Sequence, residues 1–319
     1  MKMKKLLAIL LTVIILLSTA ACSKSEKTGV TVNIGVLKGP TGMGAAWLMN
    51  QNDEKLSANE YNFTLAGSPD VLTGQLINGE MDIAALPTNA ISTLYNKTGG
   101  KISVLGVNAL GVLYILENGS SISTVADLEG KTILASGQGS TAEYVLNYIL
   151  EKNGVSAEIF WASEHSEAAT LALSGKYDIV MLPEPFVTNV TAKSSDFRIA
   201  LDLTAEWKSL GGGELTMGGI AVRTAFLDEH PDAVKAFVEE YGKSIKFTNS
   251  NPEEAAKLIA KYEIATEEIA KSAIPRCNIV WLHGEDYKDM LKNFLGVVYA
   301  ANPAGIGGSM PEDNFYLSY

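Results

Sequence analysis

The sequence predicts an α/β protein of two similar lobes, each a parallel sheet covered by helices. Strand-like and helix-like segments alternate from residue 31 to residue 183, the pattern of parallel-sheet architectures. In addition, Gly79-Glu80-Met81-Asp82-Ile83-Ala84-Ala85-Leu86-Pro87 returns as Gly175-Lys176-Tyr177-Asp178-Ile179-Val180-Met181-Leu182-Pro183, sharing Gly-x-x-Asp-Ile-x-x-Leu-Pro without a gap. Each copy follows a strand, a glycine-rich stretch and a helix by a similar distance, so the chain reads as a duplicated unit. Chance reuse of a common helix–strand connection is the plainer alternative.

The first unit opens with residues 31–37, alternating and rich in β-branched side chains, hence a strand. Residues 38–44, with three glycines and a proline, follow as a loop, and 45–50 as a helix. This order aims backbone N–H groups at one spot, suited to an anion or another acceptor-rich small molecule. An ordinary strand-to-helix turn would look the same. Neither GxxxxGK[ST] nor GxGxxG is present, since Trp47 stands where the third glycine belongs. Residues 61–66 form a second strand. Ser68-Pro69-Asp70 starts a helix that Gly79 ends, 81–86 is a strand, and 88–95 is helical. The apolar stretch 102–116 reads as one extended strand leaving the first lobe.

The second unit repeats the order. Residues 132–135 form a strand, 136–141 (Ser-Gly-Gln-Gly-Ser-Thr) a glycine loop, 142–152 a helix, 157–161 a strand, 166–174 a helix and 178–182 a strand. The chain then returns through a strand at 199–203, a short helix at 205–210 and the joint Gly211-Gly212-Gly213, which can absorb rotation cheaply. A strand at 216–222 re-enters the first lobe, and the remainder is mostly helical, at 228–247, 252–262 and 285–302. The expected organisation is a leader at 1–21, a tether at 22–29, the first lobe from 30–115 and 209–319, and the second from 116–208. Hinges fall at 112–118 and 202–213.

The leader is basic at Lys2, Lys4 and Lys5, then apolar or small for 16 residues up to Ala21. That is short of the roughly 20 residues of a membrane span but fits a secretory signal. Ser18-Thr19-Ala20-Ala21-Cys22 resembles the lipobox of bacterial lipoproteins, with Thr19 in place of the usual leucine. Acylation of Cys22 would anchor the chain to a lipid bilayer, whereas simple signal cleavage beside an incidental cysteine would not. Cys277 is the other cysteine of the two, so no internal disulfide forms once Cys22 is acylated. The net charge of −11 favours solubility and argues against nucleic-acid binding.

In open parallel sheets, ligands bind beyond the carboxyl ends of the strands. Four post-strand segments therefore converge on a cleft. They contribute Lys38, Gly39, Thr41, Gly42 and Met43; Thr88 and Asn89; Gln138, Gly139, Ser140 and Thr141; and Glu184 with Phe186. The hydroxyls supply hydrogen bonds or serve as helix caps. Lys38 pairs an anionic ligand group or is solvated, and Glu184 accepts from a ligand donor or meets a helix N-terminus. Trp47, Trp161 and Phe186 are stacking faces or core side chains. His165, His230 and His283 are scattered, with no HExxH, no metal-ligand spacing at Cys277 and no GxSxG, so neither a cofactor nor a metal is expected. No arginine enters the cleft to clamp a carboxylate; Arg223 is placed at the end of a first-lobe strand.

The lipobox, Gly39-Pro40-Thr41-Gly42, Asp82-Ile83, Asp127-Leu128-Glu129-Gly130-Lys131 and Pro183-Glu184-Pro185-Phe186 resemble the substrate-binding lipoproteins of bacterial ABC importers. The branch is the nitrate/sulfonate/taurine type, which includes binders of thiamine pyrimidine precursors. The resemblance spans the chain from Cys22 onward. It implies a periplasmic-binding-protein fold of type 2 with two crossover strands, a small-molecule ligand, a permease with its ATPase as partner, and a monomer at the outer face of the cell membrane. The fold also hosts enzymes, so an exported enzyme on a small heterocyclic or carboxylate substrate is the competing class. The cysteine-rich signature of the pyrimidine synthases is absent.

Overall fold

The computed structural model describes residues 27–319; the leader, Cys22 and residues 23–26 of the tether lie outside the described residues. The first lobe begins with β1 (Thr31–Leu37), α1 (Pro40–Asp53), β2 (Glu60–Ala66), α2 (Pro69–Asn78), β3 (Ile83–Pro87), α3 (Thr88–Thr98) and β4 (Ile102–Ala109). The second holds β5 (Leu113–Asn118), β6 (Thr132–Ser136), α4 (Thr141–Lys152), β7 (Glu158–Ala162), α5 (His165–Leu173), β8 (Ile179–Pro183), α6 (Phe186–Lys193), β9 (Phe197–Asp202) and α7 (Leu203–Ser209). The chain returns with β10 (Gly218–Arg223), α8 (Thr224–Glu229), α9 (Pro231–Ser250), α10 (Pro252–Lys261), α11 (Glu267–Ala273), β11 (Ile279–His283) and α12 (Lys288–Ala301).

Two sheets result, one ordered β11-β4-β10-β3-β1-β2 and the other β7-β6-β8-β5-β9. The duplication is visible in both. β1 pairs in parallel with β2 and β3, and β6 in parallel with β7 and β8. Gly79 and Gly175 end α2 and the α5 segment at φ 79° and 74°, a left-handed conformation that glycine adopts without a Cβ clash. The shared aspartates diverge. Asp82 accepts from the Asn33 amide and from Arg223, whereas Asp178 is exposed.

The sheets are mixed rather than purely parallel. β10 runs antiparallel to β3 and β4, and β5 antiparallel to β8 and β9. The stretch 102–116 is accordingly two strands, not one. β4 lies in the first sheet and β5 in the second, so the crossing falls at 110–112, ahead of the expected boundary at 115. The expected hinge at 112–118 is corrected for the same reason: β5 is hydrogen-bonded on both sides. The second crossing is 210–217, because α7 is a helix anchored by the fully buried Trp207, which packs on Tyr148 and Phe294.

Four further elements were not expected, one of them α8, which runs from Thr224 to Glu229 ahead of the helix expected at 228–247. In α6, Val187 and Val190 turn inward a turn apart, a signal too short to stand out beside Pro183 and Pro185. The seven-residue α11 and the five-residue β11 are similarly brief, and β11 exists by pairing with β4 at Ile279–Ala109.

The core follows the alternation of the strands. Val32, Ile34 and Val36 face α1, α9 and α10, meeting Met43, Phe237, Tyr241 and Ile259. Ala84 and Leu86 face α2 and α3, in a cluster that continues past the crossings to Ile133, Met181 and α12. Val180 and Leu182 cover the other face of the second sheet with Ala168, Ala172 and Val190. Burial of each large apolar side chain contributes about 1.5–3 kcal/mol, and this core brings the carboxyl ends of six parallel strands face to face. Among the described residues no helix is long and apolar enough to cross a membrane.

Candidate ligand-binding site

A cavity of about 770 Å³ lies between the lobes, a size ordinary for a small-molecule site. Its walls are the ends of β1, β2 and β3 on one side and of β6, β7 and β8 on the other, with Ala109, Val112, Met217 and Gly218 of the crossings as its floor. Strand ends converge there because both lobes repeat one winding, which leaves the same sheet edge free in each.

Eight of the residues assigned to the cleft from the sequence line this cavity: Lys38, Gly39, Thr41, Gln138, Gly139, Ser140, Glu184 and Phe186. Their side chains are less free than the sequence suggests. Thr41 Oγ1 stays on its own turn, accepting from the Leu37 amide at 3.2 Å. Ser140 Oγ caps α4, accepting from the Ala142 amide at 3.3 Å and donating to Gly137 O at 2.6 Å. The loop 137–140 is a true glycine turn, with Gly137 and Gly139 at φ 89° and 75°.

Gly42 and Met43 are corrected: they face the core, not the cavity. Pro40 takes the first helical position, where its missing N–H costs nothing. The expected loop 38–44 is therefore largely the first turn of α1. Its glycines serve close packing. A Cβ on Gly42 would stand 2.5 Å from Leu37 O, and one on Gly44 about 3.1 Å from Ile279. Met43 is fully buried against Cys277, 3.8 Å from sulfur to sulfur.

Thr88, Asn89 and Thr141 are buried beside the cavity and join parts of the chain instead. Thr88 Oγ1 donates to Thr216 O at 2.6 Å. Asn89 Nδ2 donates to Gly139 O at 3.2 Å and to Gly305 O at 3.1 Å, while its Oδ1 accepts from Thr141 Oγ1 at 3.0 Å. Asn89 thus ties the first lobe to the start of α4 in the second.

Glu184 lines the wall with its carboxylate already engaged. Oε1 accepts from Arg276 Nε at 2.6 Å, and Oε2 from the Thr188 amide at 3.0 Å and its hydroxyl at 2.8 Å. The expectation that Glu184 reads a ligand donor is corrected accordingly. Arg276 carries no signal in the sequence, being brought in from 92 residues away. Arg223 sits at the end of β10 and pairs with Asp82 at 2.6 Å.

Trp161, read as a stacking face or a core side chain, also lines the cavity, as do Asp70, Lys97 and His165, which were not assigned to it. The lining charges are Lys38 and Lys97 against Asp70, since Glu184 is neutralised by Arg276; the balance is one positive charge. The His165 ring lies 5.4 Å from that of Phe186, and its Nδ1 lies 2.6 Å from Ser136 Oγ. Burial depresses its pKa from 6.5 to about 4, so the imidazole is neutral at pH 7. Trp47 is no cleft residue and stacks on Phe247 at 5.7 Å. Among the described residues no group of His, Cys, Asp and Glu could hold a metal ion.

Two mixed sheets joined by two crossings around the cavity make the two-lobed fold of the periplasmic-binding-protein type. Solved structures share this fold. An ABC transporter protein from Parabacteroides distasonis superposes with a TM-score of 0.74 at 24% identity, over 91% of this chain and 99% of that one. The alkanesulfonate-binding protein SsuA from Xanthomonas axonopodis pv. citri, crystallised with MOPS, gives 0.69 at 16% identity, over 89% and 95%. A Bacillus subtilis (strain 168) protein named for binding aliphatic sulfonates is 25% identical over 226 residues, 69% of this chain. The matched region spans 59% of that relative's length. The NMT1/THI5-like family profile matches residues 65–255, and the chain belongs to that family.

Proposed function

We propose that the protein is an extracytoplasmic solute receptor that closes its two lobes on a small polar organic molecule and presents it to an ABC permease with its ATPase. The observation that carries this reading is the interlobe cavity, enclosed by strand ends and reached by both lobes. Closure is driven by the solute's greater affinity for the closed arrangement. The positive balance of the lining fits a solute with at most about one negative charge, because uncompensated charge in a dry cleft is costly. A sulfonate- or heterocycle-like molecule meets that requirement, in keeping with the sulfonate-binding relatives. A monomer suffices for this role. The cavity gives the exported enzyme little support: the Glu184 carboxylate is held by Arg276 and Thr188, and the Ser136 hydroxyl beside His165 is fully buried and does not line the cavity.

Mass spectrometry of the denatured, freshly purified protein tests the reading by identifying the molecule it retains. Calorimetry with MOPS and with small heterocycles measures affinity. A candidate turned over rather than returned intact would establish the enzyme instead. The tether belongs to the same proposal: acylated Cys22 would hold the receptor at the membrane. Cys22→Ala should then move the protein to the soluble fraction; wild-type levels in the membrane pellet would refute the anchor.

A further inference from the structure

Resting on that reading, we infer that His165 is the group by which the second lobe reads the solute, as a fixed Nε2–H donor. It selects a molecule with an acceptor oxygen or nitrogen at that wall and rejects one presenting a donor or a cation there.

The argument starts at Ser136. It ends β6 and is completely buried, and its hydroxyl has no hydrogen-bond partner among the described residues other than His165 Nδ1 at 2.6 Å. If Nδ1 carried the proton, it would donate to Ser136 Oγ, and the hydroxyl hydrogen would be left buried and unpaired. With Nδ1 accepting from Ser136, both groups are satisfied and the proton sits on Nε2. Nε2 has no partner among the described residues, and the ring lines the cavity, backed by Phe186. Gly137 packs beside the ring: at its φ of 89°, an added Cβ would lie 3.6 Å from His165 Cε1 and 2.8 Å from Ser140 Oγ.

The charged neighbours leave the imidazole neutral. On its own helix, Glu167 is held by the Ser163 amide at 2.8 Å. The Glu164 carboxylate reaches across to the first lobe, within 2.9 Å of where a Cβ on Gly67 would stand. Glu184 is taken by Arg276 and Thr188. Lys38, Lys97 and Asp70 line the opposite wall. None of these charges is a cause of the shift, which comes from burial alone. Protonating Nδ1 would also reverse the Ser136 bond and leave the hydroxyl hydrogen buried and unpaired, so the donor persists through the neutral range.

Long-range ¹H–¹⁵N NMR of the ligand-free protein, with histidine labelled and the His165 signals assigned by their loss in His165→Gln, tests the inference directly. The expected result is an Nε2–H tautomer that does not titrate between pH 5.5 and 8, and that gives way to a tautomer mixture in Ser136→Ala. Saturating MOPS should shift the Nε2 resonance, and His165→Phe should weaken MOPS binding about tenfold, the loss of one buried hydrogen bond. An Nδ1–H tautomer, titration near pH 6.5, or an Nε2 signal unmoved by bound MOPS would overturn it. If the tautomer is as expected and MOPS does not bind, the sulfonate reading fails instead. Uracil then replaces MOPS as the probe, and an Nε2 signal unmoved by bound uracil overturns the inference.

Discussion

Arg276 Nε lies 2.6 Å from Glu184 Oε1, joining the turn before β11 in the first lobe to the end of β8 in the second. The guanidinium also donates to Thr188 Oγ1 at 2.7 Å. The Glu184 side chain is wholly buried while that of Arg276 is 40% exposed, so the arginine brings in the charge that the buried carboxylate needs. The pair stands beside the first crossing: the Glu184 amide donates to Val112 O, and Asn278 Nδ2 donates to Gly111 O. It therefore ties the two lobes together beside the first crossing.

Removing the arginine leaves a buried, unpaired carboxylate. Arg276→Ala should cost about 3 kcal/mol, the lower end of the range for breaking a buried pair because the arginine is partly solvated. Urea unfolding measures this. Glu184→Gln in the Arg276→Ala background should recover part of the loss, and a purely additive double mutant would show that the contact carries no coupling.

Asn89 is the corresponding tie on the other side of the cavity. Asn89→Ala unpairs Gly139 O and the Thr141 hydroxyl, leaves Gly305 O with only a 3.5 Å bond from Thr93 Oγ1, and should cost about 1–3 kcal/mol. Thr141→Val removes one of these bonds and should cost less. Equal midpoints for Thr141→Val and Asn89→Ala in denaturant would contradict the assignment of Asn89 as the centre of the network.

The two crossings are packed against α7 through glycine. A Cβ on Gly111 would overlap the Thr204 side chain, and one on Gly212 the Trp207 indole. Gly111→Ala and Gly212→Ala should each destabilise by about 1–3 kcal/mol through overpacking. Thermal melting checks this, and a melting temperature at or above wild type for either variant would refute the close approach.

The depressed pKa of His165 sets the sign of an acid response. The unfolded chain takes up a proton through pH 6.5, and the folded chain only near pH 4, because burial disfavours the imidazolium. Between those values the unfolded state binds more protons, so His165 makes stability fall as pH drops from about 6.5 to about 4. His165→Gln should flatten that part of the profile. Urea midpoints at pH 7.5, 5.5 and 4.5 decide it, and parallel profiles for the two proteins would remove His165 as the cause.

Much of this molecule was legible in the chain because it is local. Strand β1 and the copies at 79–87 and 175–183 are written in alternation, β-branching and helix-ending glycines, whose φ values depend on neighbouring residues alone. The convergence of Lys38, Gln138 and Phe186 on one cavity follows from the repeated winding. Tertiary structure decided what those signals leave open. The glycines at 42 and 44 read as a loop until Ile279 and Leu37 are seen pressing on them. Glu184 reads as a ligand acceptor until Arg276 arrives from 92 residues away, and His165 as one of three scattered histidines until Ser136 holds its ring. Each of these roles is set by a partner remote in the chain, and only the packed core determines which remote groups meet.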